Sequence, residues 1–345
     1  MIHATLNVNT PYCAGRKITM LRALTTVLLA LCLAACATPY RYPAGKTSVT
    51  PALLPGFAVM NDGYSLPVSS WLPEGKASCR AVLLALHGLN DYRNAFSDVG
   101  PFLAERGVTV YAYDQRGFGE SVGAGYWHGW ERLSEDLRGM VKLLRNKHPG
   151  CPLYVLGESM GGGVVLAAQG VAPLDIEGEI LVAPAIWSRK TMPMYQRAAL
   201  WLAVHTVPGK RLTGEGLELR PSDNIEMLRA LGRDPKVIKA TRVDVLYGIT
   251  NLMDVAASVP ATQFGSSLLL YGEHDEIIPR ESTCRFLDRL QNGATSPQVR
   301  LYPKGYHMLT RDLNAQQVLE DIAGWLLSPE QHIKNPQGVE QFCNA

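Results

Sequence analysis

Short apolar runs alternate with longer amphipathic segments through most of the chain. The runs lie at residues 81–87, 108–114, 153–156, 180–183, 267–271 and 298–302. They are continuously apolar, as the strands of a parallel sheet are when both faces are covered. Segments with the spacing of helices lie between them, among them 94–106, 130–147 and 159–169. Strands that alternate with helices predict an α/β fold, with a mostly parallel sheet flanked by helices.

Two stretches depart from this alternation. Residues 57–72 predict two strands around Asn61-Asp62-Gly63, a sequence typical of a hairpin turn, and they bring the predicted sheet to eight strands. From Pro184 to Thr262 there is no clear buried run, and the pattern is helical with apolar residues that look exposed. We therefore expect a helical cap inserted at about residues 185–260.

The N-terminal segment has the pattern of an export signal. Three basic residues, Arg16, Lys17 and Arg22, precede a short apolar run that ends in Leu33-Ala34-Ala35-Cys36. A basic segment, a short apolar run and small residues before a cleavage point are typical of a secretory signal, and the run is short for a membrane span. The last four residues resemble a bacterial lipobox, which implies that Cys36 becomes the lipid-modified N-terminus. An ordinary cleaved signal and a retained membrane anchor are the alternatives.

This interpretation divides the chain into four parts. They are a signal peptide at 1–35, a lipidated tether at 36–55 with four prolines after the cysteine, a folded domain at 56–328 and a tail at 329–345. Translation from Met20 would still leave a compact signal. More than one acyl chain gives stable membrane anchoring. Ala37 replaces the Asp that commonly retains Gram-negative lipoproteins at the inner membrane, so we expect a periplasm-facing protein of the outer membrane.

Composition limits the classes of partner. The chain has 345 residues, 47% hydrophobic and 19% charged, which suits one large domain with an insertion. Its formal net charge is +2, so the chain lacks the excess of basic residues that is typical of a nucleic-acid-binding protein. No C-x-x-C pair suggests a metal site, and we expect no metal or cofactor.

Four cysteines remain after export to an oxidising compartment, and they allow three pairings or four free thiols. They are Cys79, Cys151, Cys284 and Cys343.

One motif indicates a nucleophile. Gly157-Glu158-Ser159-Met160-Gly161 follows a short apolar strand and opens a helix, which is the context that a G-x-S-x-G nucleophile elbow requires. The turn is tight and the serine backbone is strained, so small residues must stand two positions before and after it. The helix N-terminus favours negative charge that develops near the serine.

A serine hydroxyl needs a base, and the base needs a group that orients it. In this type of site the chain order is serine, acid, histidine. Asp275 follows the strand at 267–271, and His307 follows the last strand, so both belong to loops at the carboxyl ends of strands. We expect Asp275 to orient His307 and His307 to deprotonate Ser159. Alternatives next to Asp275 are Glu273, His274 and Glu276.

The tetrahedral intermediate of acyl transfer needs hydrogen-bond donors for its oxyanion. We expect one from the N–H of Met160, the residue after the nucleophile. The second is expected from Leu89, because Gly88 lets the backbone turn after the first long strand. His87 ends that strand, and we interpret it as a structural residue that holds the loop.

Together these motifs resemble the monoacylglycerol lipase and lysophospholipase branch of the α/β-hydrolases. The resemblance covers roughly residues 56–328 and includes Asp114–Ser121, which is similar to the D-x-R-G-x-G-x-S turn of the family. Its Asp and Arg are expected to be structural. The position of the acid in the family pattern Gly-x-x-Asp selects Asp275. The usual strand order of the fold implies that Cys79 and Cys151 precede neighbouring strands and can form a disulfide.

The resemblance implies a serine ester hydrolase. Its substrate would be a small acyl ester or lipid, of the monoacylglycerol or lysophospholipid type. Met192, Tyr195 and Trp201 of the cap would suit an acyl chain, although helices that bury apolar faces on one another give the same pattern. A peptidase, a thioesterase and a C–C hydrolase use the same kind of triad and stay open as alternatives. A non-catalytic envelope lipoprotein that binds a ligand is a further alternative.

Overall fold

The computed structural model describes residues 38–75, 79–263, 265–291, 297–328 and 336–344, with Arg22, Thr25 and Thr26 as isolated residues. Cys36 and most of the predicted signal peptide lie outside the described residues. No helix among the described residues has the length and apolar character that crossing a membrane requires.

A nine-stranded sheet forms the centre of the molecule. The strands are β1 (Ala52–Leu54), β2 (Phe57–Val59), β3 (Ser65–Trp71), β4 (Ala81–Leu86), β5 (Val108–Tyr113), β6 (Leu153–Glu158), β7 (Gly178–Val182), β10 (Ser266–Gly272) and β11 (Gln298–Tyr302). Their order is β1-β2-β3-β5-β4-β6-β7-β10-β11. The pairs from β5 to β11 are parallel, and those from β1 to β5 are antiparallel. The predicted α/β architecture with its mostly parallel sheet is confirmed.

Nine helices are described. They are α1 (Val99–Ala104), α2 (Trp130–Lys147), α3 (Met160–Val171), α4 (Met194–Thr206), α5 (Ile225–Arg233), α6 (Val243–Ala256), α7 (Arg280–Gln291), α8 (Ala315–Leu327) and α9 (Pro336–Asn344). Residues of α2, α3 and α6 form a core with one face of the sheet, and residues of α1 and α8 form a second core on the other face. Strands β4 to β7 are buried along their whole length, which explains why their sequences are continuously apolar.

The prediction of eight strands was one too few. The additional strand is β1, which lies in the segment predicted to be a tether. Its three residues pair antiparallel with β2 through a turn at Pro55-Gly56, and the proline content concealed so short a strand. The chain before it also contacts the domain, because the N–H of Tyr42 donates to the carbonyl of Trp127 at 2.8 Å. The folded domain therefore starts before residue 56.

The C-terminal boundary at residue 328 was also too early. Helix α9 buries Val339 and Phe342 in the first core, and the Phe342 ring lies 5.6 Å from that of Tyr271. Cys343 of this helix forms a disulfide with Cys284 of α7. The structure also joins Cys79 and Cys151, the pair expected from the strand order.

The insertion between β7 and β10 contains α4, α5, α6 and a small two-stranded sheet of β8 (Arg211–Leu212) and β9 (Thr241–Arg242). Helix α6 falls within the predicted cap range, yet it belongs to the helical layer: Leu252 and Ala256 are fully buried in the first core. The cap proper therefore ends before α6, earlier than the predicted limit at residue 260. Helical periodicity does not distinguish a cap helix from a layer helix.

Candidate active site

Ser159 lies in the turn between β6 and α3 with a strained backbone. Its φ is 53° and its ψ −113°, a conformation that side chains other than glycine rarely adopt. The N–H of Ser159 donates to Val182 at 2.9 Å, which helps hold this turn. The two motif glycines allow the close packing. A Cβ on Gly157 would lie 2.5 Å from the nitrogen of Gly162, and one on Gly161 would lie 2.2 Å from the carbonyl oxygen of Leu86.

His307 connects this serine to a carboxylate. Its Nε2 lies 2.9 Å from Ser159 Oγ, and its Nδ1 lies 2.8 Å from Asp275 Oδ2. The other oxygen of Asp275 accepts the N–H groups of Ile277 and Ile278 at 2.8 and 2.9 Å, which fixes the carboxylate. Burial lowers the pKa of His307, but the charge and hydrogen bond of Asp275 outweigh it, and the pKa is raised overall. The three side chains can therefore act as nucleophile, base and orienting acid.

Two of the three alternatives next to Asp275 have other partners. Glu276 accepts the N–H of Arg220 at 2.6 Å, and the ring of His274 stacks on that of Tyr306 at 5.4 Å. Glu273 is exposed. Asp275 is thus the carboxylate that the structure brings to His307.

The loop that follows β4, residues 87–92, is called the oxyanion loop below. His87 is fully buried within it: Nδ1 lies 2.8 Å from the carbonyl of Gly88, and Nε2 accepts the N–H of Gln115 at 3.0 Å. Because the backbone N–H must donate, Nε2 is the acceptor and Nδ1 carries the proton. Burial lowers the pKa of His87, so the ring stays neutral. This geometry matches the structural role expected of His87.

The two predicted oxyanion donors belong to segments next to the nucleophile. Met160 follows Ser159 directly at the start of α3, where the first N–H groups have no partner within the helix. The oxyanion loop runs beside the serine, since a Cβ on Gly88 would lie 3.3 Å from Ser159 Cβ. Within the described part of the chain, the N–H groups of Leu89 and Met160 donate to no other protein group. Their role as donors to a negatively charged oxygen at Ser159 stays a prediction.

Sequence analysis missed an ionic bridge beneath these loops. Arg311, in the 3₁₀ turn Leu309–Arg311, lies between two carboxylates. Its Nη1 is 2.8 Å from Asp91 Oδ2, and its Nη2 donates to Glu158 Oε1 at 3.0 Å. All three residues are buried. A charged residue at the end of an apolar strand, as Glu158 is, signals a buried partner, but the partner lies 153 positions away in sequence.

A segment of the cap is hydrogen-bonded to the loop that carries His307. Ser222 Oγ donates to Asp312 at 2.6 Å, and the N–H of Met308 donates to the carbonyl of Pro221 at 2.9 Å. The side chain of Asn224 donates to the carbonyl of Arg311 at 3.0 Å. We call residues 220–224 the cap root. Its position depends on long-range pairs, for which the sequence has no local signal.

The three predicted acyl-chain residues do not line one common groove. Trp201 lines a groove on the cap, whereas Met192 and Tyr195 are not among its lining residues. Tyr195 is 72% exposed and Met192 is half-buried. The lining includes none of the triad residues, so contact of these three side chains with an acyl chain stays a prediction. The groove is formed mainly by Arg189, Met194, Arg197, Leu200, Trp201 and Tyr247.

No three His, Cys, Asp or Glu residues in the described ranges are arranged to hold a metal ion. The groups that meet at Ser159 supply a nucleophile, a base and backbone donors. Acyl transfer through a covalent intermediate uses groups of these kinds.

Known proteins resemble this chain in sequence over most of its length. Residues 77–314 match the Hydrolase_4 family model, which is described as serine aminopeptidase, S33. The monoacylglycerol lipase of Mycolicibacterium smegmatis is 28% identical over 278 residues, which cover 77% of this chain and 94% of that protein. The monoglyceride lipase of Rattus norvegicus is 24% identical, over 77% of this chain and 88% of that protein.

Solved structures resemble it in fold. The crystal structure of the Paleococcus ferrophilus monoacylglycerol lipase has a TM-score of 0.64 at 22% identity and covers 76% of this chain and 98% of its own. A soluble variant of the Saccharomyces cerevisiae monoglyceride lipase, in complex with a substrate analog, has a TM-score of 0.63 at 21% identity. It covers 84% of this chain and 98% of its own.

Proposed function

The chain belongs to the Hydrolase_4 family of serine hydrolases, and on that premise we propose that it cleaves carboxylic esters through an acyl-enzyme on Ser159. The observation that carries the proposal is the continuous hydrogen-bonded series from Ser159 through His307 to Asp275, with distances of 2.9 and 2.8 Å. The strained serine backbone supports it, because that conformation exposes the nucleophile at the start of a helix.

Acylation begins when the Ser159 hydroxyl transfers its proton to Nε2 of His307 and its oxygen attacks the ester carbonyl carbon. The carbonyl oxygen takes the electron pair of the broken π bond and accepts hydrogen bonds from the N–H groups of Leu89 and Met160. Asp275 stabilises the imidazolium that forms. The intermediate collapses, the bond to the alcohol oxygen breaks, and His307 returns the proton to the leaving alcohol.

Deacylation repeats these steps with water. His307 takes a proton from a water molecule, whose oxygen attacks the acyl carbon, and the same two N–H groups bind the second oxyanion. Collapse breaks the bond to Ser159 Oγ and releases the carboxylic acid. His307 returns its proton to the serine, which restores the enzyme.

We propose a monoacylglycerol, or a lysophospholipid of similar shape, as the substrate. The monoacylglycerol lipase of Mycolicibacterium smegmatis and the monoglyceride lipase of Rattus norvegicus match this chain over 94% and 88% of their own length, which supports the proposal. The cap supports it as well, because Met194, Tyr195 and Trp201 are 80%, 72% and 55% exposed on one helix, α4. An apolar surface of this kind suits a ligand with an acyl chain.

A substrate panel tests this choice. Monoacylglycerols of increasing chain length, lysophospholipids, soluble short esters and amino-acid amides would be compared by kcat/KM. We expect the acyl glycerols or lysophospholipids to be preferred and the amides to be poor substrates. The amides are included because the family is described as serine aminopeptidase, and a preference for them would refute the lipase proposal.

A fluorophosphonate probe tests the nucleophile. The wild-type protein should be labelled, and Ser159→Ala should abolish labelling and lower kcat by about 10⁴-fold or more. Ser188→Ala is the control, because Ser188 is a buried serine that forms no hydrogen bond with a triad residue in the described structure. A folded wild-type protein without labelling would refute the enzyme proposal and favour a binding lipoprotein.

We further propose that the protein is an envelope lipoprotein anchored through Cys36 and facing the periplasm from the outer membrane. The lipobox-like sequence before Cys36 supports this, and two disulfides fit an oxidising compartment. Intact-mass analysis of protein from membranes should find a diacylglyceryl N-terminus at Cys36, and Cys36→Ser should release the protein from the membrane fraction. An unmodified cysteine in mature wild-type protein would refute anchoring.

A further inference from the structure

Three loops of the active site meet at one buried guanidinium. Asp91 belongs to the oxyanion loop, Glu158 directly precedes Ser159, and Arg311 lies in the 3₁₀ turn that follows His307. The arginine contacts both carboxylates, at 2.8 and 3.0 Å. We propose that Arg311 is a positioning residue that fixes the spacing between the base, the nucleophile and the oxyanion loop.

The burial of the bridge favours this role over one in stability. Asp91, Glu158 and Arg311 are 5%, 2% and 8% exposed. Removing charges from water costs free energy that their attraction often does not return, so well-packed apolar side chains stabilise a fold at least as well. Apolar contacts, however, have no preferred direction. The charge-assisted hydrogen bond from Arg311 to Glu158 has a preferred length and angle. The ion pair of the same guanidinium with Asp91, at 2.8 Å, attaches the oxyanion loop to it. Arg311 can therefore hold the three loops in register.

The shape of the guanidinium matters in addition to its charge. Its rigid planar group places two N–H donors at a fixed separation, so each carboxylate is bound from a different nitrogen. The second oxygen of Glu158 accepts the hydroxyl of Thr310 at 3.1 Å, which fixes the carboxylate further. A lysine ammonium keeps the charge but is a compact group without this fork. Arg311→Lys should therefore keep the electrostatics and lose the geometry.

The bridge also acts on the base through its charges. Besides Asp275, the charged groups that face His307 include Glu158, which raises the pKa of that ring, and Arg311, which lowers it. Loss of Glu158 should therefore make His307 easier to deprotonate, and loss of Arg311 should have the opposite effect. A side chain that serves only to fill space would not shift the titration of His307 in a direction set by its charge.

The test compares the pH dependence of kcat/KM in variants of the full chain, and it rests on the triad proposed above. We expect the acidic limb of the pH profile of kcat/KM, where His307 becomes protonated, to move to lower pH in Glu158→Gln and to higher pH in Arg311→Met. We expect kcat of Arg311→Met and Arg311→Lys to fall by about 10- to 100-fold, as misplaced catalytic groups do, with a smaller change in KM. In Arg311→Lys the acidic limb should stay at the wild-type pH.

Two controls separate positioning from general damage. Arg116 is another buried arginine between two carboxylates, with contacts of 2.7 Å to Asp62 and 2.5 Å to Asp136. Arg116→Met should reduce thermal stability but leave kcat and the acidic limb in place. Thr310→Val removes a hydrogen bond from Glu158 without a change of charge, and should not move the limb.

The proposal is overturned if kcat of folded Arg311→Met stays within about threefold of the wild type. It is also overturned if the acidic limb is unmoved, or if Arg116→Met lowers kcat equally. If Arg311→Met does not fold, Glu158→Gln and Arg311→Lys provide the test. A wild-type kcat in Arg311→Lys overturns the proposal, and so does an acidic limb of the pH profile that is unmoved in Glu158→Gln. Failure of the wild type to hydrolyse esters or to label would instead refute the proposed function.

Discussion

A single methyl group at the nucleophile turn should disable the enzyme. Gly161 lies two residues after Ser159, and a Cβ there would lie 2.2 Å from the carbonyl oxygen of Leu86, whereas ordinary contact begins at 3.4 Å. Strand β4 and helix α3 must therefore separate by about 1 Å in Gly161→Ala. Leu86 leads into the oxyanion loop, so this shift falls between the nucleophile and the predicted donor at Leu89.

The size of the effect follows from that displacement. A misplacement of about 1 Å at reacting groups costs about 10²-fold in rate, so we expect kcat/KM to fall by about 10²-fold. Overpacking of a dense core costs about 1–3 kcal/mol of unfolding free energy. The assay is hydrolysis of a soluble ester, with thermal unfolding measured on the same preparation, at a temperature where the variant remains folded.

Gly324→Ala is the matched control for this change. Gly324 also lies in a helix, α8, but a Cβ there would meet no atom within 4 Å. Alanine is the better helix former, so this variant should keep wild-type activity and gain about 0.5–1 kcal/mol in stability. If folded Gly161→Ala retained kcat/KM within about threefold of the wild type, the packing of α3 on β4 would not control the site.

Three other predictions concern the triad, the disulfides and the absence of a cofactor. Because Asp275 raises the pKa of His307 above its ordinary value of 6.5 and the base must be neutral, activity should fall as the pH drops through a value above 6.5; a limb well below pH 6.5 would contradict this. The Cys79–Cys151 disulfide spans 72 positions, so its double serine variant should lose about 4 kcal/mol in denaturant unfolding, and an unchanged midpoint would contradict that. Prolonged dialysis against a chelator should leave ester hydrolysis intact, and loss that a divalent metal restores would refute metal-independent catalysis.

Burial on both faces is the property that made the central strands predictable. Such strands consist mostly of apolar residues, so the ends of β4, β5 and β6 were predicted from the sequence to within two residues. The predicted helix at 94–106 was less accurate, because the structure divides it into a 3₁₀ turn at Arg93–Phe96 and α1 at Val99–Ala104. Pro101 lies in the first turn of α1, where its missing N–H has no helical partner to lose.

The triad was predictable because each member follows a strand in a fixed chain order. The supporting charges were not, since local pattern does not identify long-range partners. Asp62 illustrates this: its sequence context is a hairpin turn, and the chain does turn there, yet its carboxylate is buried and binds Arg116 at 2.7 Å. The turn is a local property, whereas the ion pair joins residues 54 positions apart.

The cap root and helix α4 differ in how they are attached to the loops of the triad. At the cap root, Ser222 and Asn224 are hydrogen-bonded to the loop of His307, so a change there also moves the base. Helix α4 has few such bonds to the triad loops, and Met194 and Trp201 are mostly exposed. We therefore expect substitutions on α4 to change which acyl group is accepted at little cost to catalysis, and substitutions in the cap root to alter kcat for every substrate. On this reasoning, substrate preference should depend more on α4 than on the cap root.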